Sequence, residues 1–141
     1  MTLDLATLML IAYRAMDDQV MRAMHQAGFK VTVAQGRLAQ RIAPDGSRLT
    51  ELAEQAQVTK QTAGLLVDAL EREGLVERVP DPADGRARLI RFTERGQIAS
   101  ARAIETVMGV ERTWIEHLGP ELAESLREAL IKLREITDPY Q

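Results

Sequence analysis

Apolar residues return every three or four positions along residues 3–27, with Leu5, Leu8, Ala12, Met16, Val20 and Met24 on one face. That spacing predicts an amphipathic helix, and Gly28 is a suitable stop. A second helix is predicted over 32–42, capped by Thr32 and carrying Val33, Leu38 and Ile42, before the turn cluster APDGS at 43–47. In 49–79 the pattern splits into two short helices. Thr50 is the expected cap of the first, with Leu52, Ala53 and Ala56. Thr59 is the expected cap of the second, with Ala63, Leu66, Val67 and Leu70, and Gly74 ends it.

The period then changes. Residues 75–79 and 87–92 read as two short strands around a Pro/Asp/Gly tip, 80–86, which is too polar to pack. Thr93 caps a long helix to about 117, with Ile98, Ala101, Ile104, Met108, Ile115 and Leu118 on its apolar side. Gly96 and Gly109 are expected to weaken it locally. Pro120 starts a last helix bearing Leu122, Leu126, Ala129, Leu133 and Ile136, which Asp138-Pro139 ends.

Two short helices across a tight turn, followed at once by a hairpin, make a winged helix-turn-helix. The predicted class is therefore mainly α with a small β wing, in a single domain over 1–141. Residues 31–96 form the winged helix-turn-helix lobe. The end segments, 1–30 and 97–141, carry longer apolar stripes than that small lobe needs to cover itself. Two chains pooling these helices would bury the excess, so a two-fold homodimer is expected, with 1–30 and 97–141 as its dimerisation helices.

Composition narrows the class. The chain has 141 residues and no cysteine, which excludes disulfides and thiolate metal sites and suits a cytoplasmic protein. No apolar run approaches a membrane span, and no membrane partner is expected. The balance of 18 Lys and Arg against 21 Asp and Glu gives a net charge of −3. That balance argues weakly against a non-specific nucleic-acid coat, and any such surface must be local, built by geometry rather than bulk charge.

A local surface is available. In a helix-turn-helix the second helix enters the major groove of double-stranded DNA. With Ala63, Leu66, Val67 and Leu70 buried, the opposite arc holds Gln61, Leu65, Asp68 and Arg72, edged by Thr62 and Gly64. Gln pairs with adenine, an exposed Leu meets a thymine methyl, and Gly64 allows close backbone approach. Lys60 and the Thr59 hydroxyl stand at the helix N-terminus, where backbone N–H groups favour a phosphate. On the hairpin, Arg86 is placed to reach the minor groove, and Asp84 to orient its guanidinium by pairing with it. Arg88 suits a phosphate. Arg91 suits either a phosphate or a neighbouring carboxylate.

Residues 49–96, LTELAEQAQVTKQTAGLLVDALEREGLVERVPDPADGRARLIRFTERG, resemble the winged helix of the MarR family (multiple antibiotic resistance regulators). DPADGRARLIRFTERG is the most specific piece, matching that family's Asp-Pro-x-Asp-x-Arg…Thr-x-x-Gly wing. The resemblance implies an obligate dimer with interlocked end helices. It also implies binding to a pseudo-palindromic promoter site, usually as a repressor, and release by a small, often aromatic or phenolic, ligand. By that likeness Arg86 is the minor-groove arginine and Asp84 its anchor. The chain departs from the family at Leu65, commonly Arg there, and at Ala69, often basic. Gly36 stands after Gln35 where the family often has a bulky residue, which either enlarges the ligand cleft or, the favoured reading, allows close helix packing.

Tyr13, Arg14 and Arg37 are the candidates to contact an anionic aromatic effector, with surface or dimer pairing as their plainer role. Trp114 suits core or dimer packing better than ligand stacking. Met9, Met16, Met21 and Met24 read as core filler. His25 and His117 belong to no ligand-spaced cluster, so no metal and no cofactor are expected. No catalytic motif is present, and an enzyme is not expected. The expected function is a dimeric, ligand-responsive DNA-binding regulator. A winged-helix dimer serving as a protein-interaction module is the alternative.

Overall fold

The computed structural model describes residues 1–140. Among them the chain forms α1 (Leu5–Gln26), α2 (Val33–Ala39), α3 (Leu49–Gln55), α4 (Lys60–Arg72), β1 (Val76–Asp81), β2 (Asp84–Phe92), α5 (Glu94–Leu118) and α6 (Pro120–Thr137). The architecture is mainly helical with one small antiparallel sheet, as the periodicity predicts.

Local hydrogen bonds set most boundaries. Asp4 opens α1 by accepting from the Thr7 N–H at 2.7 Å. Thr32 and Gln35 form a reciprocal capping box on α2. Such caps are each worth about 1 kcal/mol. Thr59 caps α4 and Thr93 caps α5, both as the sequence predicts. Thr50 does not cap α3. The helix begins at Leu49 with Arg48 as the flanking residue and no side-chain cap, which places Thr50 inside the first turn.

Between α3 and α4 the chain reverses through Gln57, whose φ of 57° is left-handed. Its N–H donates to the Glu54 carbonyl at 3.1 Å, and the Val58 N–H donates to the Ala53 carbonyl at 3.0 Å. Val58 packs on the core from inside this turn, fixing the angle between the two helices.

β1 and β2 pair from Val76 opposite Phe92 to Asp81 opposite Asp84, with an irregularity at Pro80/Asp81. The strands are longer than the sequence predicts, and the tip shrinks to Pro82 and Ala83. The APDGS turn adds to the sheet's edge, since Ser47 and Ile90 exchange backbone hydrogen bonds of 2.9 and 2.8 Å.

The core lies under the winged helix and includes Leu38, Leu52, Ala63, Val67, Leu70, Val76 and Ile90. Ala63, Val67 and Leu70 are the inward face of α4 expected from periodicity. α5 is joined to this core at its first turn. A Cβ on Gly96 would lie 1.8 Å from the Leu75 carbonyl oxygen, so only glycine fits there. The expectation that Gly96 is a weak point is corrected: it permits the contact between α5 and the start of the wing.

α5 also shows two faces. Ala99, Ala103 and Val110 turn inward, whereas Ile98, Ala101, Ile104, Met108 and Ile115 are exposed. Leu5 and Leu8 on α1, and Leu122, Leu126, Leu133 and Ile136 on α6, are exposed as well. The stripes read from the sequence at the chain ends therefore lie mostly on the molecular surface, except that Val20 and Met24 at the end of α1 pack in or against the core. No helix among the described residues is long and apolar enough to cross a membrane.

Candidate nucleic-acid interface and effector cavity

The exposed face of α4 begins at its cap. The Thr59 hydroxyl accepts from the Thr62 N–H and donates to the Thr62 hydroxyl, both at 3.0 Å. Lys60, Gln61 and Thr62 are exposed beside it. Leu65 is 62% exposed, as unusual a position for leucine as the sequence suggests. A Cβ on Gly64 would make only an ordinary contact, with Leu49 Cδ2 at 3.9 Å. Asp68 is not a free acid on this face. Arg78 on β1 donates to Asp68 and to Glu71 at 2.8 Å each, tying the wing to α4 and neutralising one of two carboxylates.

At the wing, the Arg86 side chain is 96% exposed. Asp84 accepts from the Arg86 backbone N–H at 3.1 Å, while the guanidinium Nε stays 3.7 Å away. The two side chains thus form a long ion pair, and the same Asp84 oxygen also holds the backbone under Arg86. Arg88 is exposed, and Arg91 donates to Glu77 at 2.8 Å, which settles its partner as a carboxylate in the chain.

The residue that anchors the tip is one the sequence reading did not single out. Asp81 is only 8% exposed and accepts from Arg48 Nε and Nη2 at 3.0 and 2.7 Å. Its other oxygen accepts from the Ala83 N–H at 2.9 Å. The Ala83 N–H first, and then Arg48, hold the Asp81 carboxyl below its ordinary pKa. The notion of an unpacked tip fails at this residue, because a carboxylate with enough donors can be buried. Arg48 itself offers no cap to α3, since a guanidinium has donors but no acceptor for the first-turn N–H groups.

Beneath the lobe, α1, α2 and the start of α5 enclose a cavity of about 270 Å³. Its walls are mostly apolar, including Met16, Val20, Met21, Met24, Ala99 and Val107. Tyr13 and Arg37 line it, as the sequence reading expects, but Arg14 does not. Arg14 is exposed on α1, one position round the helix from Tyr13. The Arg37 guanidinium lies 5.2 Å from the Tyr13 ring centre and donates to Asp17 at 3.2 Å. Partial burial works against its charge, but Tyr13 and Asp17 outweigh that and raise the Arg37 pKa. Gly36 also lines the cavity, and a Cβ there would make only an ordinary 3.7 Å contact with Met21. The absent side chain widens the cavity; close helix packing does not demand it.

A second hollow of about 440 Å³ lies between α5 and α6, with Trp114, Leu118, Leu126 and Leu130 in its walls. His25 Nε2 is 2.9 Å from the Val31 carbonyl oxygen. Among the described residues no cluster of three His, Asp or Glu could hold a metal.

Residues 44–87 match the model of the MarR family. That segment runs from the APDGS turn through the recognition-type helix pair to the tip of the wing. A comparison with curated proteins gives no match. Among solved structures, MarR itself superposes with a TM-score of 0.78 at 24% identity, covering 94% of this chain and 96% of that one. The transcriptional regulator Tm0710 from Thermotoga maritima gives 0.64 at 27% identity, over 94% and 92%. The transcriptional repressor CouR, bound to a 23-mer DNA duplex, gives 0.74 at 24% identity, over 92% of each chain. CouR from Rhodococcus jostii RHA1 bound to p-coumaroyl-CoA also gives 0.74 at 24% identity, over 98% and 94%. The fold shared with these structures extends well beyond the matched segment, through α1, α5 and α6. CouR and Tm0710 are described as regulators of transcription.

Within the winged lobe, Thr59 to Leu65 and Asp84 to Arg88 are brought onto one packed unit by Arg78 and Asp81. Those two side chains had no local signal. Arg78 lies 7 and 10 positions from its partners, and Asp81 lies 33 from Arg48.

Proposed function

We propose that the chain is a dimeric transcriptional repressor that binds a pseudo-palindromic promoter site. α4 reads the major groove through Gln61, Thr62, Gly64 and Leu65, with Thr59 and Lys60 at a phosphate. Arg86 enters the minor groove, and Arg88 meets the backbone. The end helices, 1–30 and 97–141, form the dimer. A small aromatic or phenolic ligand in the cavity beside Tyr13 and Arg37 favours a dimer whose two α4 helices are mis-spaced for successive major grooves, and so releases the DNA.

The observation that carries this reading is the wing. Arg86 keeps its guanidinium almost wholly in solvent while the backbone beneath it is held by Asp84 and, through the tip, by Asp81. A solvated salt bridge would not need such a mounting, and a minor-groove arginine does. The test is titration of the dimer against promoter-derived duplex at several salt concentrations. Affinity should fall steeply with salt, and Arg86→Ala should weaken cognate binding by about tenfold, one base contact's worth. Dimerisation and folding should be untouched. Weak binding without salt dependence would favour the second reading, a protein-interaction dimer, which the exposed Leu65 and the lack of a cation at Ala69 support.

A further inference from the structure

Asp17 and Arg37 are the charged residues lining the cavity between α1, α2 and α5. They are spent on each other. Arg37 donates to Asp17 at 3.2 Å, and its guanidinium rests on the Tyr13 ring. The Asp17 carboxylate is only 19% exposed and the Arg37 side chain 54%, so the acid is the more deeply set of the two. The cavity presents no net charge, and its remaining wall is methionine, valine, alanine and leucine with few polar groups.

From this geometry we infer that the cavity selects electrically neutral aromatic molecules, and that Asp17 is the residue that excludes anions. The inference rests on the cavity being the effector site proposed above. An arginine on a cavity wall normally attracts a carboxylate, which is why an anionic effector is expected from the sequence. An acid entering here would have to draw Arg37 off Asp17. That leaves a mostly buried carboxylate beside a second anion with no other cation on the wall. A neutral ring meets no such cost, and gains from the apolar wall and from Met side chains that adjust to its shape. Gly36 supplies the width for a fused or substituted ring.

The test uses two probes of nearly equal shape, 2-naphthamide and 2-naphthoate, titrated into the full-length dimer by calorimetry. The wild type is expected to bind the amide at least about tenfold more tightly, the scale of a charge-pair effect in a partly buried site. Asp17→Asn frees Arg37 and should reverse or abolish that ratio by strengthening naphthoate binding. Arg37→Gln leaves Asp17 unmatched and should weaken naphthoate further while sparing the amide, which guards against misfolding of the first variant. A wild-type preference for naphthoate, or an unchanged ratio in Asp17→Asn, overturns the inference and leaves the effector site standing. If neither probe binds, and neither lowers affinity for duplex, the effector site itself falls and the inference with it.

Discussion

Asp81 does two things at the base of the wing: it closes the Pro82-Ala83 tip and holds α3 through Arg48. Its folded pKa lies below the unfolded value of about 3.9. Stability from such a group is present above the unfolded pKa and is lost as pH falls through the folded one. Asp4 and Asp138 are lowered too, by Thr7 and by Arg134 respectively, and share this acid limb. Asp81→Asn should therefore lower the urea midpoint at pH 7 and lose less between pH 4 and pH 2 than the wild type does. An equal acid loss in both proteins would show that Asp81 does not feel its partners. At this scale the sequence is legible wherever the chemistry is local. Thr32, Thr59 and Thr93 cap as expected, because each bonds within three residues. Asp81 was not, since its partner is 33 positions away and a buried acid looks like a solvated one in sequence.

At the scale of elements, β1 and α4 are joined by Arg78, and the two surfaces expected to touch DNA move together because of it. Removing Arg78 would free the hairpin and expose two carboxylates on the recognition helix. Arg78→Gln is expected to weaken duplex binding by about tenfold, like-charge repulsion of a few kcal/mol being screened in part. Adding Asp68→Asn and Glu71→Gln should recover most of that loss, because the repulsion goes with the acids. Failure to recover, measured by the same titration, would assign Arg78 a purely mechanical role. The helices and the hairpin were legible here, since period 3.6 and period 2 differ over a few residues. The start of α3 was not: Thr50 is a good cap by type, but Arg48 and Asp81 fix the chain two residues earlier.

For the whole molecule, the exposed apolar faces of α1, α5 and α6 are the surface on which the proposed dimer rests. Leu126 sits in the wall of the second hollow beside Trp114, and is exposed in the single chain. Leu126→Glu should yield a monomer by sedimentation that keeps its helical content and loses duplex binding. A dimer that survives this change would place the interface elsewhere. The excess of apolar stripe at the chain ends was readable from the sequence. Which face of α5 turned inward was not, because Ala99 and Ala103 are weaker signals than Ile98 and Ile104. The cavity's charge state was hidden for a similar reason: Asp17 and Arg37 lie on different helices, and only folding sets them side by side.

The contact at Gly96 has a mechanical consequence. With no side chain between α5 and the Leu75 carbonyl, the helix bears directly on the root of the hairpin, and the chain has a fulcrum there. From Gly96 to Leu118 α5 extends about 33 Å at 1.5 Å per residue, so a tilt of roughly 5° displaces its far end by ~3 Å. The relation also runs in reverse. A small repacking among the distant helices, of the size one bound ring can cause, arrives at the wing as a change of angle, with no slack in the joint to absorb it.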